Sequence, residues 1–195
     1  MGDAASMDDA RGRLAAAAVE AFADNGFHAT TTRDIASRAG MSPAALYVHH
    51  RSKEGLLFAL SRDGHLAALD VVTEAAARHD DPTARLQAMI HDFTQWHAEH
   101  SKTARIVQYE LAALTPDHLA EVARHRRAIE RTVREVLEEG VARGEFEVAD
   151  VPGTALAMLS LAVDLVRWYE PGGSRSPQQL ADLYAGLALR MARPL

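Results

Sequence analysis

TTRDIASRAGMSPAALYVHH, residues 31–50, reads as two short helices joined by a tight turn. Thr31 is a good N-cap, and Asp34 three residues on makes an approximate capping box, so a helix runs from about Thr32 to Ala39. Gly40 breaks it, because a residue without a Cβ takes the positive φ of such a turn at no steric cost. Ser42 then caps a further helix, about Pro43 to His49, with Pro43 at the first helical position, where its missing N–H costs nothing. Ala36 must be small where the two helices cross, and Ile35, Ala39, Met41 and Leu46 form the little core between them. The spacing is that of a helix-turn-helix.

Outward from this unit, apolar residues recur at helical spacing almost everywhere and alternating β-branched runs are missing, which predicts an all-α chain. From Asp9 to Asp24, Leu14, Ala18 and Phe22 stack on one face, and Gly26 ends that helix. Ser52 starts a long helix reaching about His79, and Asp80-Asp81-Pro82 breaks it. Helical patterns then occupy about 82–99, 102–114, 117–143, 152–169 and 177–192, giving nine helices. Residues 1–55 are expected to form the helix-turn-helix domain and residues 56–195 a second helical domain.

A chain of 195 residues can bury a substantial core without a staple. The absence of cysteine excludes disulfides, thiolate metal ligands, iron–sulfur clusters and cysteine nucleophiles, and fits a reducing compartment. The first residues are acidic and then alanine-rich, interrupted by Arg11, Arg13 and Glu20, which is not a secretory pattern, and no run approaches the roughly twenty apolar residues that span a bilayer. The expectation is a cytoplasmic protein with no membrane partner.

The net charge of −6 argues at first against a polyanionic partner. Its distribution reverses that reading. Residues 28–62 hold Arg33, Arg38, Arg51, Lys53 and Arg62 against only Asp34 and Glu54, while the acidic excess lies in the C-terminal part. The second helix of a helix-turn-helix lies in the major groove with its N-terminal residues at base edges, here Ser42, Pro43, Ala44 and Ala45. So small and apolar a reading head favours thymine methyl contacts and close backbone approach. Around it, Thr30, Thr31, Thr32, Arg33, Tyr47, His49 and Lys53 are suited to phosphate, and helix N-termini favour anions. Double-stranded DNA is therefore the expected partner.

The longer stretch GFHATTTRDIASRAGMSPAALYVHHRSKEGLL, residues 26–57, resembles the signature of TetR-family regulators: a glycine-aromatic pair, a threonine pair, IA-x-x-AG-x-S, a leucine-tyrosine pair and a lysine after the recognition helix. The resemblance covers about residues 10–60. It implies a homodimeric one-component repressor bound to a palindromic operator, with a C-terminal domain that dimerises through its last two helices and holds a small-molecule effector. One position departs from the pattern. The family usually has phenylalanine where this chain has His50, a residue that packs between the recognition helix and the fourth helix, so His50 is expected either to fill that space less well or to turn toward phosphate.

The C-terminal part fits these implications. Leu156, Met158, Leu159, Leu161, Val163, Leu165 and Val166 leave the 152–169 helix almost no polar face, and Leu180, Leu183, Tyr184, Leu187 and Met191 line one side of the last helix. Trp96, Arg105, Gln108, Tyr109, Asp164, Arg167, Trp168 and Tyr169 supply the mixture of aromatic and polar groups expected around an amphipathic effector. WHAEHSKTARIVQYELAAL, EEGVARGEF and VRWYEPGG resemble, more loosely, the effector domain of a family branch that responds to acyl-CoA thioesters or related lipid-derived compounds. That likeness implies a ligand apolar at one end and anionic at the other, with Arg105 or Arg167 as counter-charge.

Two clusters have plainer readings. His91, His97 and His100 lie close together, but hydrogen-bonded histidines explain them better than a metal, and neither metal nor cofactor is expected. Arg124-His125-Arg126-Arg127 sits in a glutamate-rich helix, where i, i+4 pairing on a wet face accounts for it. The competing functions are a helical hydrolase with a histidine–carboxylate site and a protein-binding helical adaptor. No serine elbow, phosphate-cradling glycine loop or metal ligand set supports an enzyme.

Overall fold

A computed structural model of the chain describes residues 2–192, with side chains from Asp9 onward. Among the described residues there are nine α-helices: α1 (Gly2–Ala29), α2 (Thr32–Arg38), α3 (Pro43–His49), α4 (Lys53–Ala77), α5 (Pro82–Glu99), α6 (Ser101–Tyr109), α7 (Pro116–Ala142), α8 (Val151–Asp164) and α9 (Pro177–Ala192). Short 3₁₀ turns follow α6 and α8. The expected nine-helix, all-α architecture is what the chain adopts, and no helix of the described residues is long and apolar enough to cross a membrane.

The helix ends lie where the caps and glycines place them. Ser42, Asp81 and Asp150 each accept an amide hydrogen of the following first turn, at 3.2, 2.8 and 3.0 Å. Gly26, Gly40, Gly144 and Gly172 have positive φ. At Gly26 (φ 75°, ψ 161°) the helical path is interrupted, although one further turn carries the assigned helix to Ala29. Gly140 has another reason to lack a side chain: the Phe146 ring lies where its Cβ would be.

The chain forms two compact units, each discontinuous in sequence. One comprises Met1–Asp63 with Arg105–Glu121, the other Gly64–Ala104 with Val122–Leu195. The core of the first contains Leu14, Ala18 and Phe22 from α1, Ile35 and Ala36 from α2, Leu46 from α3, and Leu56 and Leu57 from α4. Ala39 and Met41, expected in this core, are only half-buried. The second unit is organised around α5, whose Leu86, Met89, Ile90 and Phe93 pack with Val133, Val136 and Leu137 of α7, Met158 of α8 and Ala188 of α9. A smaller cluster joins Ala98, Leu165, Val166, Tyr169 and Leu180.

Candidate nucleic-acid interface and effector domain

The turn between α1 and α2 is held by Thr30 and Lys53. The Thr30 hydroxyl, buried, donates toward the carbonyls of Gly26 (2.8 Å) and Ala21 (3.0 Å). Lys53 Nζ donates to the carbonyls of Phe27 (2.6 Å), Thr30 (2.7 Å) and His28 (3.2 Å), and lies 4.4 Å from the Phe27 ring centroid. Its three protons are thus committed to the backbone that ends α1, and its charge lies over an aromatic face. Both side chains were expected at phosphate. Thr30 and Lys53 are instead turned inward and hold the α1–α2 turn.

Thr31 caps α2 in a reciprocal box: its Oγ1 accepts from Asp34 N (3.2 Å), and Asp34 Oδ2 accepts from Thr31 N (2.9 Å) and the Thr31 hydroxyl (2.7 Å). The Thr31 hydroxyl and amide hold the Asp34 carboxyl below its ordinary value, so the box is anionic and intact at neutral pH. Arg38 pairs with Asp24 at 2.7 Å, tying α2 to α1.

α3 buries Leu46 and exposes Pro43, Ala44, Tyr47 and Val48. Ser42, Pro43 and Ala44 are exposed and Ala45 half-buried, while Tyr47 and Val48 keep 51% and 76% of their surface. The Tyr47 hydroxyl shares a hydrogen bond with Thr32 Oγ1 (3.2 Å), which brings two of the expected phosphate contacts together at the rim. Arg33, the next residue in the chain after Thr32, is exposed. Val48, which the sequence reading passed over, is the most exposed large apolar residue of α3.

His49 and His50 are half-buried, and His49 Nδ1 and His50 Nε2 are buried without a hydrogen-bond partner. Burial, reinforced by His49 and Arg11, pushes the His50 imidazole below its ordinary value, so it is neutral at physiological pH. His50 is thus partly covered, with one polar ring atom buried and unpaired.

Residues 105–121, far along the chain, complete this unit. Glu54 Oε1, in the first turn of α4, accepts from Thr115 N (3.0 Å) and from His118 Nδ1 (2.6 Å). The His118 ring stacks on Phe58 with centroids 3.7 Å apart. Phe27 N reaches Glu110 Oε1 at 3.5 Å. No local sequence signal joins partners sixty or more residues apart.

The eight expected effector residues divide between the two units. Arg105, Gln108 and Tyr109 belong to the first unit. In the second, Trp96 stacks on His100, Tyr169 is packed into the cluster around Leu165, and exposed Asp164 and Arg167 pair with each other at 3.1 Å beside exposed Trp168. A dip of about 10 Å³ between α5, α8 and α9 is lined by Ile90, Met158, Leu161, Tyr184, Leu187, Ala188 and Met191, none of them among the eight. That is room for about one water.

His97 of α5 and His100, its C-cap, each face, through Nδ1, the carbonyl four residues back, at 2.8 and 2.9 Å. Among the described residues no group of three or more metal-ligating side chains is placed to hold an ion.

Comparison with known proteins agrees with this geometry. Residues 14–60 match the family described as "Bacterial regulatory proteins, tetR family", and residues 79–192 match "Tetracyclin repressor-like, C-terminal domain". The HTH-type transcriptional repressor KstR2 of Mycobacterium tuberculosis is 31% identical over 193 residues, covering 95% of this chain and 94% of KstR2. A crystal structure of a tetR-family regulatory protein from Rhodococcus RHA1 is 39% identical with a TM-score of 0.89, covering 95% of this chain and 98% of that one. AibR, crystallised with isovaleryl coenzyme A and operator DNA, is 25% identical with a TM-score of 0.80, covering 92% and 97%. This chain belongs to the TetR family of bacterial transcriptional regulators.

Proposed function

We propose that the chain is a homodimeric repressor that binds a palindromic operator through two copies of α3 and leaves it when an acyl-CoA, or a related ligand apolar at one end and anionic at the other, binds the C-terminal domain. The observation that carries the DNA reading is the outward face of α3, small and apolar and rimmed by the Thr32–Tyr47 pair and Arg33. Ser42, Pro43, Ala44 and Ala45 would meet base edges, and Thr31, Thr32, Arg33, Tyr47 and His49 the phosphates on either side. The ligand class follows the likeness to AibR and its isovaleryl coenzyme A. The dimer reading is supported by apolar surface on α8 and α9: Leu156, Leu161, Leu187 and Met191 keep 58, 47, 36 and 36% of their surface. Two such pairs of helices bury each other as a four-helix bundle.

In this reading the unliganded dimer sets its two α3 helices one helical turn of DNA apart, or a whole multiple of it, and ligand favours a different spacing. The ligand must bind the two states with different affinity, or nothing is transmitted.

The test is fluorescence anisotropy with a duplex selected from a random library, across a salt series and with isovaleryl-CoA, longer acyl-CoAs and free CoA. Affinity should fall steeply with salt, by the number of phosphates neutralised. At least one acyl-CoA should lower it about tenfold or more where free CoA does not, within the usual range of coupling between sites. Binding indifferent to salt would overturn the DNA reading, and binding unmoved by every acyl-CoA the ligand reading alone.

A further inference from the structure

Resting on that DNA-binding reading, we infer that Val48 fixes operator sequence by packing its isopropyl group on the 5-methyl group of one thymine in each half-site. At about 100° per residue, Ala44 and Val48 both lie about 160° round α3 from Leu46, the residue that anchors the helix to its unit. Ala44 and Val48, one turn apart, are therefore the middle of the outward face, with Pro43 and Tyr47 to one side.

Tyr47, the other large side chain, is held off the middle by the bond from its hydroxyl to Thr32. His49 and His50 are turned partly into the protein. Val48 is left as the one long apolar side chain at the centre, with 76% of its surface exposed.

Nothing in the fold asks for valine at this position. An exposed isopropyl gains little burial energy, and valine is a poorer helix former than alanine, so the folded chain alone would lose nothing by the substitution Val48→Ala. Single exposed apolar residues are ordinary on protein surfaces, but this one lies on the outward face of the proposed groove-reading helix, one turn after Ala44. The chemistry then narrows the partner. An isopropyl group neither donates nor accepts a hydrogen bond, and the thymine methyl is the apolar group that the major groove offers. Branching at Cβ also restricts the rotamer, so little freedom is lost on contact. Ala44, one turn earlier, is small enough to let the base edge approach.

The experiment uses the full chain and the tightest duplex recovered from a random library. Each thymine is replaced singly by deoxyuridine, which removes the 5-methyl group and nothing else, and affinities are measured for the wild type and for Val48→Ala. One thymine in each half-site should show a loss of about fourfold with the wild type, the value of one buried methyl-sized group. Val48→Ala should bind the thymine and deoxyuridine duplexes equally at that position, should keep the wild-type response at every other thymine, and should melt no lower than the wild type. Equal responses of the two proteins at all thymines would overturn the inference while leaving DNA binding intact. Failure to recover any duplex would overturn the DNA-binding reading, and this inference with it.

Discussion

Burial pushes the His97 imidazole down to about 4, with His65 and His100 adding to the fall and the bond to the Phe93 carbonyl opposing it. The folded value lies below the ordinary 6.5, so as pH falls the unfolded chain takes up the proton first. Stability from this residue is complete above pH 6.5, declines between 6.5 and about 4, and is flat below. The loss over that window is on the order of 3 kcal/mol, read from urea unfolding at a series of pH values, and His97→Gln should remove that part of the slope. His50 carries a different consequence. Its buried Nε2 has no partner, so His50→Phe, which replaces a desolvated polar ring by an apolar one, should raise stability by about 1 kcal/mol in the same assay. Operator affinity should stay within about twofold, since ΔΔG at an uninvolved position is a few tenths of a kcal/mol. A tenfold loss of affinity would return His50 to the phosphate contacts.

Between α1 and α2, Lys53 satisfies three carbonyls at the end of α1 and fixes the turn from which α2 starts. Lys53→Ala leaves partly buried carbonyls unpaired and should cost about 1–3 kcal/mol in thermal or urea unfolding, with operator affinity falling as a consequence. Were Lys53 a phosphate contact instead, the variant would keep its stability and lose about one unit of salt dependence. This contrast marks the limit of sequence reading. Caps and breakers act within a few residues, so Thr31 with Asp34, Gly40, Ser42 and Asp81 located the helix ends almost to the residue. Which way a lysine or threonine turns depends on carbonyls more than twenty residues away for Lys53 and on a local fold-back for Thr30, and neither is a spacing rule. The Glu54–His118–Phe58 cluster joins the start of α4 to the start of α7 by the same kind of long-range contact. Residue type marks the effector candidates, but type does not say which of them share a unit: Arg105 and Trp96 do not.

For the whole molecule, the apolar surface of α8 and α9 and the outward face of α3 make one claim only if the chain pairs. Leu161→Glu combined with Leu187→Glu places charge on two residues that line the same dip yet are exposed enough to tolerate it in a folded chain. The double variant should sediment as a monomer with unchanged helical content, and its operator affinity should fall by about tenfold or more, because the second recognition helix is no longer held at the duplex. The acidic excess of the C-terminal part fits this division of labour, with the basic segment at residues 28–62 left to meet phosphate. The most direct measurement is a hydroxyl-radical footprint of the full chain on its selected duplex. Two protected patches related by twofold symmetry, with centres about 10 base pairs or a whole multiple of that apart, are the predicted result. A single unsymmetrical patch, or protection with no regular spacing, would contradict paired entry of α3 into the groove.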